Sequence, residues 1–248
     1  MTTATWFNEM LTGRNARRKE MTRARKRARL VETLEVRTLL AANPIGTQFL
    51  VNETTALEES PAAVAVAEGD GNGFVATWTN YEQVGGDTSG LGVYAQRYLA
   101  DGTPNGPEFL VNSAYTDGDQ GAPDVAIDGS GNFVIVWESP VQDGDGFGIY
   151  AQRYLANGTA DGAAFKVNEN TAGDQQHPTV VRDDAGQFVI AWQSDGQDGD
   201  GYGVYARRYA ANGTAVDATE FRVNTTTAGD QKMPTAAVAR DNGNFVIA

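Results

Sequence analysis

Four short strings recur along this chain with nearly constant spacing, and that limits the folds open to it more than any other feature. "FLVN" at Phe49–Asn52 returns within "EFLVN" at Glu108–Asn112, as "AFKVN" at Ala164–Asn168 and as "EFRVN" at Glu220–Asn224. The asparagines advance by 60, 56 and 56 residues, and Trp78, Trp137 and Trp192 advance by 59 and 55. "YAQRY" at Tyr94–Tyr98 returns at Tyr150–Tyr154 and as "YARRY" at Tyr205–Tyr209. "GDQ" stands at Gly118–Gln120, Gly173–Gln175 and Gly229–Gln231, and Pro123, Pro178 and Pro234 follow it in turn.

Each copy divides into four strand-like segments. In residues 178–224, "PTVVR" is the first, with its proline at the strand start where no ladder donor is lost. "QFVIAW" is the second, dense in β-branched and aromatic residues. "YGVYARRY" is the third, placing Tyr205, Arg207 and Tyr209 on one face and Val204, Ala206 and Arg208 on the other. "EFRVN" is the fourth. The turn "DDAG", the loop "QSDGQDGDG" and a loop with an Asn-Gly turn signal separate them. No segment has a helical period.

Four antiparallel strands at a fixed period predict an all-β chain of β-propeller-like blades. The period of about 56 exceeds the roughly 40–50 residues of common blades, and the long loops absorb the excess. A row of small β-sandwiches and a β-solenoid are the alternatives, the first with too little core per unit, the second with too long a coil. The repeats run over about 61–112, 123–168 and 178–224, with a partial copy at 234–248 and a lone fourth strand at 48–52. An incomplete ring leaves apolar blade faces bare. The expectation is a fragment of a longer protein, its bare faces covered by remaining blades or by another copy.

The net charge of −13 divides unevenly: residues 1–40 carry +6, and residues 41–248 carry −19. An acidic body repels nucleic acid and anionic membrane, so neither is expected as a partner. Cysteine is absent and His177 is the one histidine, which excludes disulfides, thiolate zinc sites and multi-histidine metal centres. No apolar run reaches the roughly 18 residues of a membrane-spanning helix.

Residues 1–44 read as a separate basic segment ahead of a repeat domain at 45–248. An Arg/Lys cluster from Arg14 to Arg29 precedes "LEVRTLL" at Leu34–Leu40, and Ala41-Ala42-Asn43-Pro44 follows. This stretch resembles the LEPR-XLL domain, a short N-terminal segment of large, often repetitive bacterial surface or exported proteins. Val36 stands where that pattern has proline. The resemblance implies a sorting segment and export to the cell surface or outside it. It covers about 25 residues and implies nothing for the repeats.

The Asp-Gly loops are the candidate site. Strands alternate in direction, so the loop between second and third strands and the link into the next blade emerge on one face. Asp143, Asp145, Asp198 and Asp200 of the "QDGDG" loops should share a rim with Asp119, Asp174 and Asp230 of the "GDQ" links. The first repeat keeps only Asp87 in its loop. Carboxylates on glycine-permitted turns suit Ca²⁺, which takes six to eight oxygens. The same residues suit tight turns, where glycine supplies positive φ and aspartate caps its own backbone. No EF-hand loop with a distal glutamate is present, and both readings stand on sequence alone.

Arg97, Arg153 and Arg208 recur in successive blades and read as scaffold paired with nearby acids. The tryptophans read as packing between blades, with sugar stacking as the alternative. His177 reads as a solvent-facing link residue. With no unique catalytic set, the expectation is a non-enzymatic exported or surface protein serving adhesion or scaffolding, with a surface glycan or protein as ligand. The alternatives are a fragment of a secreted propeller enzyme of the glycoside-hydrolase kind and a carbohydrate-binding propeller.

Overall fold

The structure, a computed structural model, describes residue 51 and residues 59–67, 73–81 and 90–248. The basic segment 1–44, its LEPR-XLL-like motif and Asp87 lie outside the described residues.

Each repeat folds as one four-stranded antiparallel sheet with its strands in chain order. The first holds β1 (Glu59–Val66), β2 (Phe74–Asn80), β3 (Gly92–Tyr98) and β4 (Phe109–Leu110). The second holds β5 (Gly121–Ile127), β6 (Phe133–Pro140), β7 (Phe147–Tyr154) and β8 (Phe165–Lys166). The third holds β9 (Gln175–Arg182), β10 (Phe188–Asp195), β11 (Tyr202–Tyr209) and β12 (Phe221–Arg222). A fourth, partial sheet pairs β13 (Ala236–Val238) with β14 (Phe245–Ile247). Among the described residues there is no helix.

The sheets stack face to face. A strand with one wet face alternates in hydrophobicity, but "FVIVW" and "FVIAW" are apolar throughout because neighbouring blades cover both faces. From Phe133 to Trp137 and from Phe188 to Trp192 every residue is buried. One core joins Val75 and Val93 of the first blade to Phe133, Ile135 and Trp137 of the second. Another joins Val134, Val136 and Ile149 of the second to Ile190 and Trp192 of the third. In each full blade a phenylalanine stacks on a tyrosine: Phe74 on Tyr98, Phe133 on Tyr154, Phe188 on Tyr209.

The stack is radial. The first strands gather together, β1 on β5, β5 on β9 and β9 on β13. Sheets pack about 10 Å apart, so in a straight stack the first and fourth blades would stand some 30 Å from each other. Instead Arg240 Nη2, in the fourth blade, donates to the carbonyl of Val66 at the end of β1, 3.3 Å away. That contact requires curvature about an axis lined by the first strands, the β-propeller-like arrangement, and excludes separate beads or a straight coil. Val51 extends the pattern backwards. The Tyr98 hydroxyl donates to the Val51 carbonyl, just as the Tyr209 hydroxyl donates to Val167 of the blade before it. Val51 thus holds the place of a preceding blade's fourth strand.

The strand limits differ from expectation in two ways. The fourth strands pair over only two residues each. The first strand of the third blade starts at Gln175, so Pro178 lies inside it. A bulge makes room: His177 takes a φ of 52°, and the pairing with β10 shifts register between Ala191 and Gln193. The proline, which has no N–H, falls where the ladder is broken.

Candidate functional site

The two acidic loop families do share a rim, and hydrogen bonds sew them together. In the second blade the Gly173 amide donates to Asp145 Oδ2 at 3.2 Å, and the Phe147 amide donates to Asp174 Oδ1 at 3.1 Å. Loop and link thus hold one another by reciprocal bonds. The third blade repeats this, with Gly229 N on Asp200 at 3.1 Å and Tyr202 N on Asp230 at 3.2 Å. In the first blade Leu91 N donates to Asp119 at 2.9 Å. Asp143 and Asp198 accept from Asn168 and Asn224 side-chain amides at 2.8 and 2.9 Å.

Those asparagines organise the rim from beneath. Asn168, 1% exposed, accepts from the Ile149 amide and donates to Asp143, the Asn170 carbonyl and Gln175 Oε1, all within 2.9 Å. Among the described residues no three Asp, Glu or His side chains gather as a metal cage. All seven sequence-identified aspartates are at the rim, and each has an oxygen on a turn or link donor. This is the turn chemistry that Asp-Gly pairs favour.

The recurring arginines and tryptophans are structural. Arg97 and Arg153 reach into the next blade and donate to the carbonyls of Ala156 and Ala211, at 3.0 and 2.9 Å. Arg153 also pairs with Asp161 at 2.7 Å, and Arg208 pairs with Asp217. Trp78 is 3% exposed, and Trp137 and Trp192 are wholly buried, so none offers a face to a sugar.

Sequence reading missed a second constellation, whose signal is the breaking of the repeat. After the tryptophan, the second blade has Glu138 where the others have Thr79 and Gln193. After the proline it has Asp124, where the next two have Thr179 and Thr235. His177 stands where the second and fourth blades have Ala122 and Met233. These three departures converge on the junction of β6, β5 and β9 at the rim end of the axial strands. Glu138 Oε2 accepts the His177 amide at 2.9 Å, and Oε1 has no hydrogen bond among the described residues. Asp124 bridges the same two blades, accepting from Thr179 Oγ1 and the Val180 amide, each at 2.9 Å.

Burial pushes the Glu138 carboxyl above the usual carboxylate range. The bond from His177 opposes that shift, and the nearby charge of Asp174 adds to it. Burial raises the Asp124 carboxyl as well, against three hydrogen bonds that favour its charged form. A desolvated carboxyl with one fixed and one unbonded oxygen holds its proton more tightly than a solvated one and leaves an oxygen from which to donate it. His177, expected to face water, is half-buried here because its backbone is pinned across the blade junction.

No family model matches the chain, and the search of curated proteins gives no match. Among solved structures it is similar to an endo-arabinase from Bacteroides thetaiotaomicron, at 18% identity and a TM-score of 0.45, over 73% of this chain and 67% of that one. The likeness is one of fold. The protein it falls on is an enzyme, so the comparison goes against the expected non-enzymatic adhesion or scaffolding role, and the alternative, part of a propeller enzyme, is the reading taken up below.

Proposed function

We propose that this chain is part of a carbohydrate-acting propeller enzyme of the glycoside-hydrolase kind, with its proton donor at Glu138. The observation that carries the reading is the convergence of Asp124, Glu138 and His177, side chains that no other blade carries at these positions, on one junction at the rim. Repetition accounts for scaffold residues, whereas a chemical site needs side chains found once. Glycosidic cleavage needs a carboxylic acid that stays protonated until it meets the leaving oxygen. Glu138 has the burial for that and keeps Oε1 unbonded. Asp124 and the His177 backbone hold the two blades in register around it. The reading also takes residues 1–44 as the sorting segment of an exported protein, on the strength of the Leu34–Leu40 motif.

The test is reducing-sugar release by the full chain from a panel of arabinan, xylan, galactan and mixed-linkage glucan. Glu138→Gln keeps the acceptor for His177, as Gln193 does for Met233. It should lower turnover by about 100-fold or more with an unchanged melting profile. Equal turnover by the variant, or no hydrolysis of any member by the parent chain, would overturn the reading.

A further inference from the structure

We infer that the residue just before the proline of each axial strand, Ala122, His177 and Met233, is where the propeller reads its carbohydrate ligand. The inference rests on the function proposed above and names the specificity positions of that site.

Three independent observations meet here. The backbone is left-handed at this one place in three successive blades, with φ of 45° at Ala122, 52° at His177 and 56° at Met233. None is glycine, so each blade carries a conformation that L side chains adopt at a cost. A scaffold position with that geometry would be served better by glycine, which this chain uses at many other positive-φ turns, Gly131 and Gly186 among them. Keeping a side chain in spite of the strain points to a use for the side chain.

The strained backbone is also held from outside its own blade. The His177 amide is captured by Glu138 of the preceding blade at 2.9 Å, and the Met233 amide by Gln193 of the preceding blade at 3.0 Å. The rim thus clamps the main chain while leaving the side chain free to vary. Met233 is 68% exposed despite being a large apolar residue.

The sequence varies where the structure is clamped. "GDQ" and proline are constant, while the two residues between them read Gly-Ala, Gln-His and Lys-Met. A fixed frame around changing side chains, repeated about an axis, presents an alanine, an imidazole and a thioether at equivalent points. Such a set suits a sugar chain lying across the rim, with apolar contact to ring faces from Met233 and hydrogen bonding to hydroxyls from His177.

The experiment uses glycine substitutions, because glycine removes the side chain and relieves the strain together. For His177→Gly and Met233→Gly in the full chain, the melting temperature should stay level or rise. Binding to the same four polysaccharides, read by affinity gel electrophoresis, should weaken about tenfold, or its order of preference should change. Glu138→Gln, which leaves both side chains in place, should bind as the parent does. Unchanged affinity and preference in both glycine variants would overturn the inference, as would a parent chain that binds none of the four. If Glu138→Gln abolishes turnover while the glycine variants bind normally, the inference falls and the proposed function stands. If Glu138→Gln turns over like the parent while the glycine variants lose binding, the reverse holds.

Discussion

Arg182 and Asp128 form an ion pair across two blades, Nη2 to Oδ2 at 3.0 Å, with side chains only 5% and 4% exposed. Arg182 replaces the apolar residue that other blades carry at the same point, Ile127 in the second and Val238 in the fourth. Its Nε and Nη1 are buried without a partner among the described residues. A half-satisfied buried guanidinium is costly, and Coulomb attraction to one carboxylate does not fully offset it. Asp128 also accepts from the amides of Ser130 and Asn132, both at 2.9 Å, so it does not depend on Arg182 alone. Arg182→Ile is therefore expected to be neutral or to stabilise by about 1–4 kcal/mol. Asp128→Ala, which strands the arginine, should destabilise by about 3–5 kcal/mol. Urea unfolding of both variants checks the pair, and a large loss with Arg182→Ile would contradict it.

Asn168 should be the least replaceable polar residue of the rim. Alanine there would leave the Ile149 amide and the Gln175 side-chain oxygen buried without their partner. Each orphaned group costs about 1–3 kcal/mol, so Asn168→Ala should lose at least about 2 kcal/mol. The equivalent Asn224 lies in a more open setting, and its alanine variant should lose less. Chemical denaturation of the two variants side by side gives the comparison, and equal losses would contradict the difference in burial.

The blade pattern was legible because it rests on local chemistry: β-branched runs, Asn-Gly turns and a constant spacing. Strand order, the buried tryptophans and the shared acidic rim follow from these. Two things were not. The bulge at His177 depends on a hydrogen bond that its amide donates to a residue 39 positions away, which no local pattern announces. The Glu138 junction is hidden for a different reason. A repeat directs attention to what recurs, and Glu138, Asp124 and His177 are visible only as mismatches between copies, whose convergence requires the radial packing of β5, β6 and β9. The Asp-Gly loops, conspicuous in the sequence, have one oxygen of each aspartate on a turn or link donor, while Asp143 Oδ1 and Asp198 Oδ1 are buried without a partner among the described residues.

Those loops lead to an expectation about calcium. Asp119, Asp145, Asp174, Asp200 and Asp230 each spend an oxygen on a backbone amide. Cation binding would have to compete with the bonds that join loop to link. Melting temperature should therefore be the same in chelator and in millimolar Ca²⁺. A ligand bound to the native state alone raises it with concentration, and such a rise would support the metal reading of these loops.

Glu138 makes stability depend on pH with a definite sign. Its carboxyl is raised in the folded protein, chiefly by burial, so the native state binds that proton more tightly than the unfolded chain does. Its contribution is fully present below the ordinary glutamate value and is lost as pH climbs through the raised one. Above that window the native state holds a desolvated charge. Glu138→Gln removes the titration and keeps the acceptor for the His177 amide. The variant should therefore gain on the parent as pH rises from the ordinary glutamate value through the raised one, and then hold a constant advantage. Asp124, raised by the same cause, titrates in both proteins and cancels in the difference. Urea midpoints measured across that range for both proteins settle the matter. A difference that stays flat with pH would mean that Glu138 ionises as freely in the fold as outside it, and its place as a proton donor would go too.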